Sequence, residues 1–134
     1  MTWTPDCDRV WMCDAECIYD RGDYKTIVER LEHMTSKALS LEDIDDEVDI
    51  ERGIARVRFS HSGQTVRWKF AVHDDWLDGS IFPRYAKLLA DSNGPLRLFG
   101  NFRKFGQCAL LVALRPTDRG KFVKLTRIRV RRMA

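Results

Sequence analysis

The sequence predicts a single α+β domain: an antiparallel three-stranded meander plus two further strands, with helices packed on the sheet. Apolar and charged residues alternate with a period of two in three segments between residues 47 and 72, which is the pattern of half-buried strands. Segments 24–34 and 81–89 repeat their apolar residues at helical spacing. The chain has 134 residues, of which 44% are hydrophobic, and this length suits one domain.

Helical segments precede the predicted sheet. Residues 1–21 are expected to form an irregular or weakly helical arm, because their apolar residues follow no period, and the domain then covers 22–134. Asp23 is placed to cap the first helix. The apolar stripe of that helix is Tyr24, Ile27, Val28, Leu31 and Met34. Residues 40–43 have the Ser-x-x-acidic spacing of a capping box, which predicts at most a further turn or two of helix.

The meander carries the clearest signal for strand pairing. A two-residue turn at 52–53 would place Asp49 opposite Arg56 and Glu47 opposite Arg58, so that acid faces base across the hairpin. This register also pairs apolar residues with one another on the other face. The sequence therefore predicts one charged and one buried face for these strands.

The second half of the chain supplies the remaining elements. The turn at 61–64 can close as a two-residue Gly-Gln loop or as a four-residue loop, and both keep the same faces. Ser80 is placed to cap the second helix. Segments 96–99 and 108–114 are predicted strands, the latter so apolar that it is expected to be central, with both faces covered. A last short helix is expected around Phe122.

Charge divides the chain into two unlike parts. Residues 1–51 contain 15 Asp and Glu against 5 Lys and Arg, whereas residues 52–134 contain 5 against 18. The net charge of +3 is therefore a cancellation. Such a chain can present one sign of charge to a partner, or its two parts can neutralise each other in the fold.

The sequence shows no signal for export, for a membrane span or for a metal site. The N-terminus has no basic flank followed by an apolar run, which predicts a cytoplasmic protein without a membrane partner. Cysteines at 7, 13, 17 and 108 are then expected to be free thiols. Their spacing has no C-x2-C pair, and although His33 could complete four ligands, nothing holds them in tetrahedral geometry. We expect no metal and no cofactor.

Catalytic motifs are also absent from the sequence. No nucleophile-elbow, P-loop or dinucleotide-binding glycine pattern is present. His61 precedes Ser62 and His73 precedes Asp74, but neighbours on an extended chain point in opposite directions, so neither pair is an assembled dyad. The carboxylates after His73 could hold a divalent ion, yet one loop is thin support for this. We therefore expect a protein that is not an enzyme.

The basic C-terminal part offers an alternative function. Its charges lie among apolar residues and comprise Lys121, Lys124, Arg127, Arg129, Arg131 and Arg132. With the aromatic residues between 99 and 105, they could bind nucleic acid by neutralising phosphates and stacking bases. The simpler interpretation, which we favour, is an edge strand that positive charge protects from sheet-to-sheet association.

Two acidic groups are the candidate partner-binding residues. Glu47, Asp49 and Glu51 are discounted because the predicted hairpin gives them arginine partners. The remaining candidates are Glu42, Asp43, Asp45 and Asp46 before the sheet, and Asp74, Asp75, Trp76 and Asp78 after it. The meander places these two groups at opposite ends, so we do not treat them as one patch. A large ring among carboxylates is typical of an interaction hot spot, although Trp76 could equally be a core residue with the aspartates as helix caps.

Several short motifs resemble small immunity proteins of bacterial polymorphic-toxin systems, the antidotes to toxins delivered by contact-dependent inhibition or type VI secretion. These motifs are Gly22-Asp23-Tyr24 at the start of a helix, the acidic segment 40–46, Asp74-Asp75-Trp76-Leu77-Asp78 after the hairpin, and Gly106-Gln107-Cys108 before an apolar strand. The resemblance covers about residues 22–115. It implies a non-catalytic cytoplasmic protein that binds one cognate toxin domain and blocks its active site. The choice of the acidic groups as contacts presupposes a basic toxin domain, such as a nuclease, whereas a toxin with an acidic face would meet the arginine-rich half of the chain.

Overall fold

The computed structural model describes residues 8–134 and has the predicted α+β architecture. Its elements, in chain order, are β1 (Val10–Asp14), α1 (Asp23–Met34), β2 (Glu42–Asp49), β3 (Ile54–His61), β4 (Gln64–Ala71), α2 (Ile81–Asp91), β5 (Arg97–Asn101), β6 (Cys108–Leu114), a 3-10 turn (Pro116–Asp118), α3 (Arg119–Thr126) and β7 (Arg131–Arg132). No helix within residues 8–134 has both the length and the apolar character needed to cross a membrane.

The strands form two sheets. The predicted meander is confirmed as the antiparallel sheet β2-β3-β4, and the other strands form a four-stranded sheet in the order β1-β6-β5-β7. Strand β6 is central, as its apolar sequence predicts. Side chains from alternate positions of β6 enter two different clusters: Leu111 and Ala113 join the main core, and Leu110 and Val112 join a smaller core with Phe122 of α3 packed against it. Both faces of β6 are therefore covered.

The N-terminal arm differs from its prediction within the described residues. Residues 10–14 form strand β1, antiparallel to β6, with Val10 opposite Val112 and Asp14 opposite Cys108. The expectation of an irregular arm is wrong for this segment, because a strand whose partner lies about a hundred residues away leaves no local signal. Ile18 is fully buried in the main core and anchors the segment that follows β1. Trp3 and Cys7 lie outside the described residues.

The first hairpin has a longer turn than predicted. Asp49 pairs with Ile54, and the four residues 50–53 form the turn, in which the amide of Gly53 donates to the carbonyl of Ile50 at 3.2 Å. The predicted register is therefore wrong by two residues. An even shift keeps every side chain on its predicted face. Acid still faces base, now as Glu47 opposite Arg56 and Asp45 opposite Arg58.

Two other local predictions are resolved by strand pairing. Residues 40–43 do not open a helix; β2 begins at Glu42, which pairs with Ser60, and a bulge follows it. The pairing with β3 overrides the capping-box pattern. At the second turn Ser60 pairs with Thr65, which is the register predicted for the four-residue loop. His61 and Gln64 form one more pair, so the turn itself has two residues. Ser62 and Gly63 form the turn with positive φ angles.

The main core lies where the two helices α1 and α2 meet the sheets. Tyr24 of α1 stacks on Phe70 of β4 with ring centroids 4.9 Å apart. A polar group is buried in the same core: the hydroxyl of Tyr85 donates to Oε1 of Glu32 at 2.8 Å, and Oε2 of Glu32 accepts the amide of Leu41 at 3.0 Å. Burial raises the pKa of Tyr85 far above its ordinary value, and the charge of Glu32 raises it further.

Candidate protein-binding site

The first predicted acidic group lies on β2 and is largely engaged within the fold. Glu42 and Asp43 are exposed. Asp45 is half-buried and forms ion pairs with Arg21 at 3.2 Å and with Arg58 at 3.8 Å. The hydrogen bond from Arg21 is the main reason that the pKa of Asp45 lies below its ordinary value. Of its four members, Glu42 and Asp43 make no ion pair or side-chain hydrogen bond with another part of residues 8–134.

Asp46 is a helix cap and not a surface residue. It is 3% exposed, and its carboxylate accepts the amides of Gly22 at 2.7 Å and Lys25 at 3.1 Å. These amides belong to the start of α1, where backbone donors have no partner within the helix. The prediction that Asp46 contacts a partner is corrected, since the residue is inaccessible. The predicted capping role of Asp23 is also modified, because its carboxylate accepts the preceding amides of Tyr19 and Asp20.

Asp78 of the second group likewise serves the backbone. Its carboxylate accepts the amides of Ala71 at 3.2 Å and Ser80 at 2.9 Å, while its own amide donates to the hydroxyl of Tyr24 at 2.8 Å. Partial burial would raise the pKa of Asp78, but hydrogen bonds from Ser80 and Ala71 outweigh it and hold the pKa low. The pKa of Tyr24 is raised to about 12, chiefly by burial. Asp78 thus supplies the acceptor at the start of α2, where the Ser80 side chain makes no capping bond.

The rest of this loop is held by the N-terminal arm. The amide of Ile18 donates to the carbonyl of Asp75, and the amide of Leu77 donates to the carbonyl of Ala15, each at 2.9 Å. Glu16 lies opposite Trp76 in an antiparallel bridge between these bonds. Because Ile18 is anchored in the core, the arm fixes the loop backbone on the body of the protein.

This pairing creates a surface that we call the acidic-aromatic patch, made of Asp14, Glu16, Tyr19, Asp75 and Trp76. The aromatic rings are unusually open: Tyr19 is 63% exposed and Trp76 is 39% exposed. The hydroxyl of Tyr19 donates to the carbonyl of Glu16 at 3.1 Å, which keeps the ring beside the carboxylates. Asp74 is exposed at the margin of the patch. Two large rings thus lie among carboxylates on an ordered backbone.

The carboxylates of the patch act on one another. A hydrogen bond between the Glu16 and Asp75 side chains, followed by the charge of Asp75, raises the pKa of Glu16. Desolvation raises the pKa of Tyr19, and the charges of Asp75, Glu16 and Asp14 raise it further. The raised pKa of Glu16 has the sign expected beside another carboxylate, and the three charges near Tyr19 act in the same direction as its desolvation. The patch therefore has a negative field that a positive group would relieve.

Three members of the patch, Asp14, Glu16 and Tyr19, were not among the residues predicted from sequence. Their local signal is the acidic density of residues 14–20 around an aromatic residue. That signal gains meaning only from the long-range pairing with residues 75–77. The strand pairing also separates the two predicted acidic groups. Asp49 lies level with Ala71, the last residue of β4, so the loop that follows β4 begins at the end of the sheet away from the start of β2.

Cys13, Cys17, His33 and His61 each make contacts within the fold. Cys13 is buried and its thiol is hydrogen-bonded with that of Cys17, which is the main reason that the pKa of Cys13 is raised, followed by burial. His33 pairs with Asp8 at 3.1 Å, and Nδ1 of His61 lies 3.1 Å from the carbonyl of Leu39. Within residues 8–134 no group of three or more His, Cys, Asp or Glu side chains is arranged to hold a metal ion.

Comparison with known proteins returns nothing similar. No family model matches this sequence, and searches of curated proteins and of solved structures give no significant match. Function is therefore inferred from the chain's own residues. The acidic-aromatic patch contains two exposed aromatic rings, of the residue types that are enriched in protein interfaces.

Proposed function

We propose that this protein is an immunity protein that binds a basic, secreted bacterial toxin domain and occludes its active site. The observation that supports the proposal is the acidic-aromatic patch, in which the open rings of Tyr19 and Trp76 lie among the carboxylates of Asp14, Glu16 and Asp75. In this proposal the protein acts in the cytoplasm, performs no catalysis and uses no cofactor. The resemblance of short motifs to immunity proteins agrees with it.

The chemistry of the patch suits a cationic protein surface. Tyr and Trp contribute large contact area with few rotatable bonds, and they are enriched among the residues that dominate binding energy. Carboxylates around them attract arginine and lysine side chains and speed the encounter. A toxin that cleaves nucleic acid needs a basic active-site surface to hold phosphates. An acidic antidote can cover such a surface and compete with the substrate.

Support also comes from the order of the patch. Its backbone is held by the bonds between residues 15–18 and 75–77, and Ile18 is fully buried. A surface that is ordered before binding loses little conformational freedom when a partner docks. Tight association, which an antidote requires, is therefore compatible with a patch of modest size.

The test is a growth assay with the toxin domain encoded beside this protein. Expression of that domain should stop growth, and co-expression of this protein should restore it. Trp76→Ala and Asp75→Lys should weaken the purified complex by about 30-fold or more, as expected for central contacts. Glu42→Lys makes the matching charge change in the other acidic group and should leave affinity within about threefold.

Two results would count against the proposal in different ways. Rescue of growth by Trp76→Ala and Asp75→Lys with unchanged affinity would show that the toxin binds elsewhere, and the patch assignment would be wrong. Failure of this protein to bind the neighbouring toxin domain, measured by titration calorimetry with both purified, would remove the immunity function itself.

A further inference from the structure

A groove rich in arginine lies at the opposite edge of the four-stranded sheet from β1. It has a volume of about 470 Å³ and lies between β7 and the chain that follows β5. We call it the arginine groove. Its charged and aromatic lining consists of Phe102, Arg103, Arg129, Arg131 and Arg132. Among residues 8–134, no Asp or Glu lines this groove.

Phe102 is held as a platform with one open side. It is 47% exposed, and its ring stacks on Phe82 with centroids 6.0 Å apart and planes 25° apart. The ring also lies against the backbone of Gly100, where an added Cβ would come within 3.1 Å of it. Gly100 therefore gives the ring room to pack against β5. With 47% of the residue exposed, part of the ring can still meet another flat group.

The arginines line the groove that contains this ring, although Arg132 pairs with Phe99 and so projects on the other side of the sheet from Arg131. Arg131 pairs with Gly100 across the strands, so it projects on the same side of the sheet as the Phe102 ring. The side-chain amide of Asn101 donates to the carbonyl of Arg129 at 2.8 Å, and its oxygen accepts the amides of Arg103 and Lys104. Asn101 thereby fixes both walls of the groove relative to each other.

Within residues 8–134 these cations are not paired with acidic side chains, and Nε of Arg132 donates to the carbonyl oxygen of Ala134 at 2.7 Å. None of the four arginines of the groove forms an ion pair with an Asp or Glu within residues 8–134, in contrast to Arg21, Arg58 and Arg115. Protection of a sheet edge accounts for only part of the cluster, because β7 contains just Arg131 and Arg132. Arg129 and Arg103 lie outside the strand and still line the groove.

We propose that the arginine groove binds single-stranded nucleic acid, with one base stacked on the open face of Phe102 and neighbouring phosphates held by the arginines. An aromatic ring beside a positively charged channel is the usual construction of such sites. A single strand fits better than a duplex, because a duplex has its base faces already stacked. This site lies on a different surface from the acidic-aromatic patch and does not depend on the proposed immunity function.

The test is fluorescence anisotropy with a labelled 12-nucleotide oligo-dT and the full chain. The logarithm of the binding constant should fall linearly with the logarithm of the salt concentration, with a slope of about −2 to −3. This slope is expected when the protein neutralises three or four phosphates of a single strand. Phe102→Leu should weaken binding by about tenfold through loss of base stacking, while all arginines remain. Arg131→Ala should weaken it and make the slope shallower by about 0.7.

Arg52→Ala is the matched control, since Arg52 is an exposed arginine in the β2–β3 turn, and it should bind like the wild type. Thermal unfolding of each variant confirms that it is folded. Absence of binding at 50 mM salt would overturn the proposal. Three other results would also overturn it: equal affinity of Phe102→Leu and the wild type, equal affinity for a duplex, or displacement of oligo-dT by an equal concentration of a polyglutamate peptide. Each would show that the protein attracts negative charge without selecting single-stranded nucleic acid.

Discussion

Oδ2 of Asp46 accepts a hydrogen bond from the amide of Lys25 at 3.1 Å, so a residue of strand β2 caps the first turn of helix α1. Oδ1 of the same carboxylate accepts the amide of Gly22 at 2.7 Å. One buried side chain therefore satisfies two backbone donors and joins the meander to the helix. A negative charge at this end of a helix is also favoured by the helix dipole.

Replacement of Asp46 by alanine should destabilise the fold by about 1–3 kcal/mol, because two amides at the start of α1 lose their acceptor in a buried site. Asp46→Asn keeps one acceptor oxygen and should cost less. The measurement is urea unfolding followed by circular dichroism. Glu42→Ala, in the same strand but exposed, is the control and should change stability by less than about 0.5 kcal/mol. Equal stability of Asp46→Ala and Glu42→Ala would contradict the capping role.

The buried hydroxyl of Tyr85 should matter in the same way. It donates to Oε1 of Glu32 at 2.8 Å, and Tyr85→Phe leaves that oxygen buried without a donor. We expect a loss of about 1–3 kcal/mol in the free energy of unfolding. Tyr19→Phe removes the same atom from an exposed ring and should cost less than about 0.5 kcal/mol. A comparable loss in both variants would show that the Glu32 contact contributes nothing specific.

Gly53 is needed in the first hairpin turn. Its φ angle is +66°, and an added Cβ would lie 2.8 Å from the carbonyl oxygen of Val72, a backbone atom that cannot move freely. Gly53→Ala should therefore cost more than about 1 kcal/mol. Gly79→Ala is the control, since Gly79 has no positive φ and nothing within 4 Å of the added atom. Calorimetric melting of both variants checks this, and an unchanged melting temperature for Gly53→Ala would refute it.

The sequence predicted those parts of the fold whose signal is local. Alternation through Val57, Trp68 and Phe70 reports burial on one face of a strand, and helical spacing reports α1 and α2 in the same way. The register between β2 and β3 depends on the length of the turn that contains Gly53, and the alternation of apolar and charged residues does not encode that length. Strand β1 was missed because its pairing partner, β6, supplies the stabilising bonds from far along the chain.

The candidate site was predicted only in part, for a related reason. Composition marks Asp46, Asp75 and Asp78 equally as acidic residues, yet two of them accept buried or partly buried backbone amides. Only the three-dimensional neighbours of a carboxylate show whether it is free to meet a partner. Glu16 and Tyr19 join Asp75 through strand-like pairing across about sixty residues, which no local pattern reveals.

The Glu16 carboxyl should titrate above the ordinary glutamate range, because the Asp75 side chain lies beside it. Their hydrogen bond and mutual repulsion raise the pKa of Glu16 in the folded state above its value in the unfolded chain. The folded protein therefore takes up this proton more readily, so the repulsion weakens stability at neutral pH and is relieved as the pH falls through the raised pKa. A cationic partner has the opposite preference and should bind more weakly as Glu16 becomes protonated.

Carboxyl carbon NMR titration checks this coupling directly. In Asp75→Asn the neighbouring negative charge is gone, and the pKa of Glu16 should fall toward the ordinary glutamate value. Glu42→Gln changes a distant carboxylate and should leave the titration of Glu16 unaltered. If the pKa of Glu16 were the same in Asp75→Asn as in the wild type, the two side chains would not interact, and the negative field assigned to the acidic-aromatic patch would lose its main support. A pKa of Glu16 that falls in Asp75→Asn and stays unchanged in Glu42→Gln would show that the neighbouring Asp75 carboxylate is what raises it.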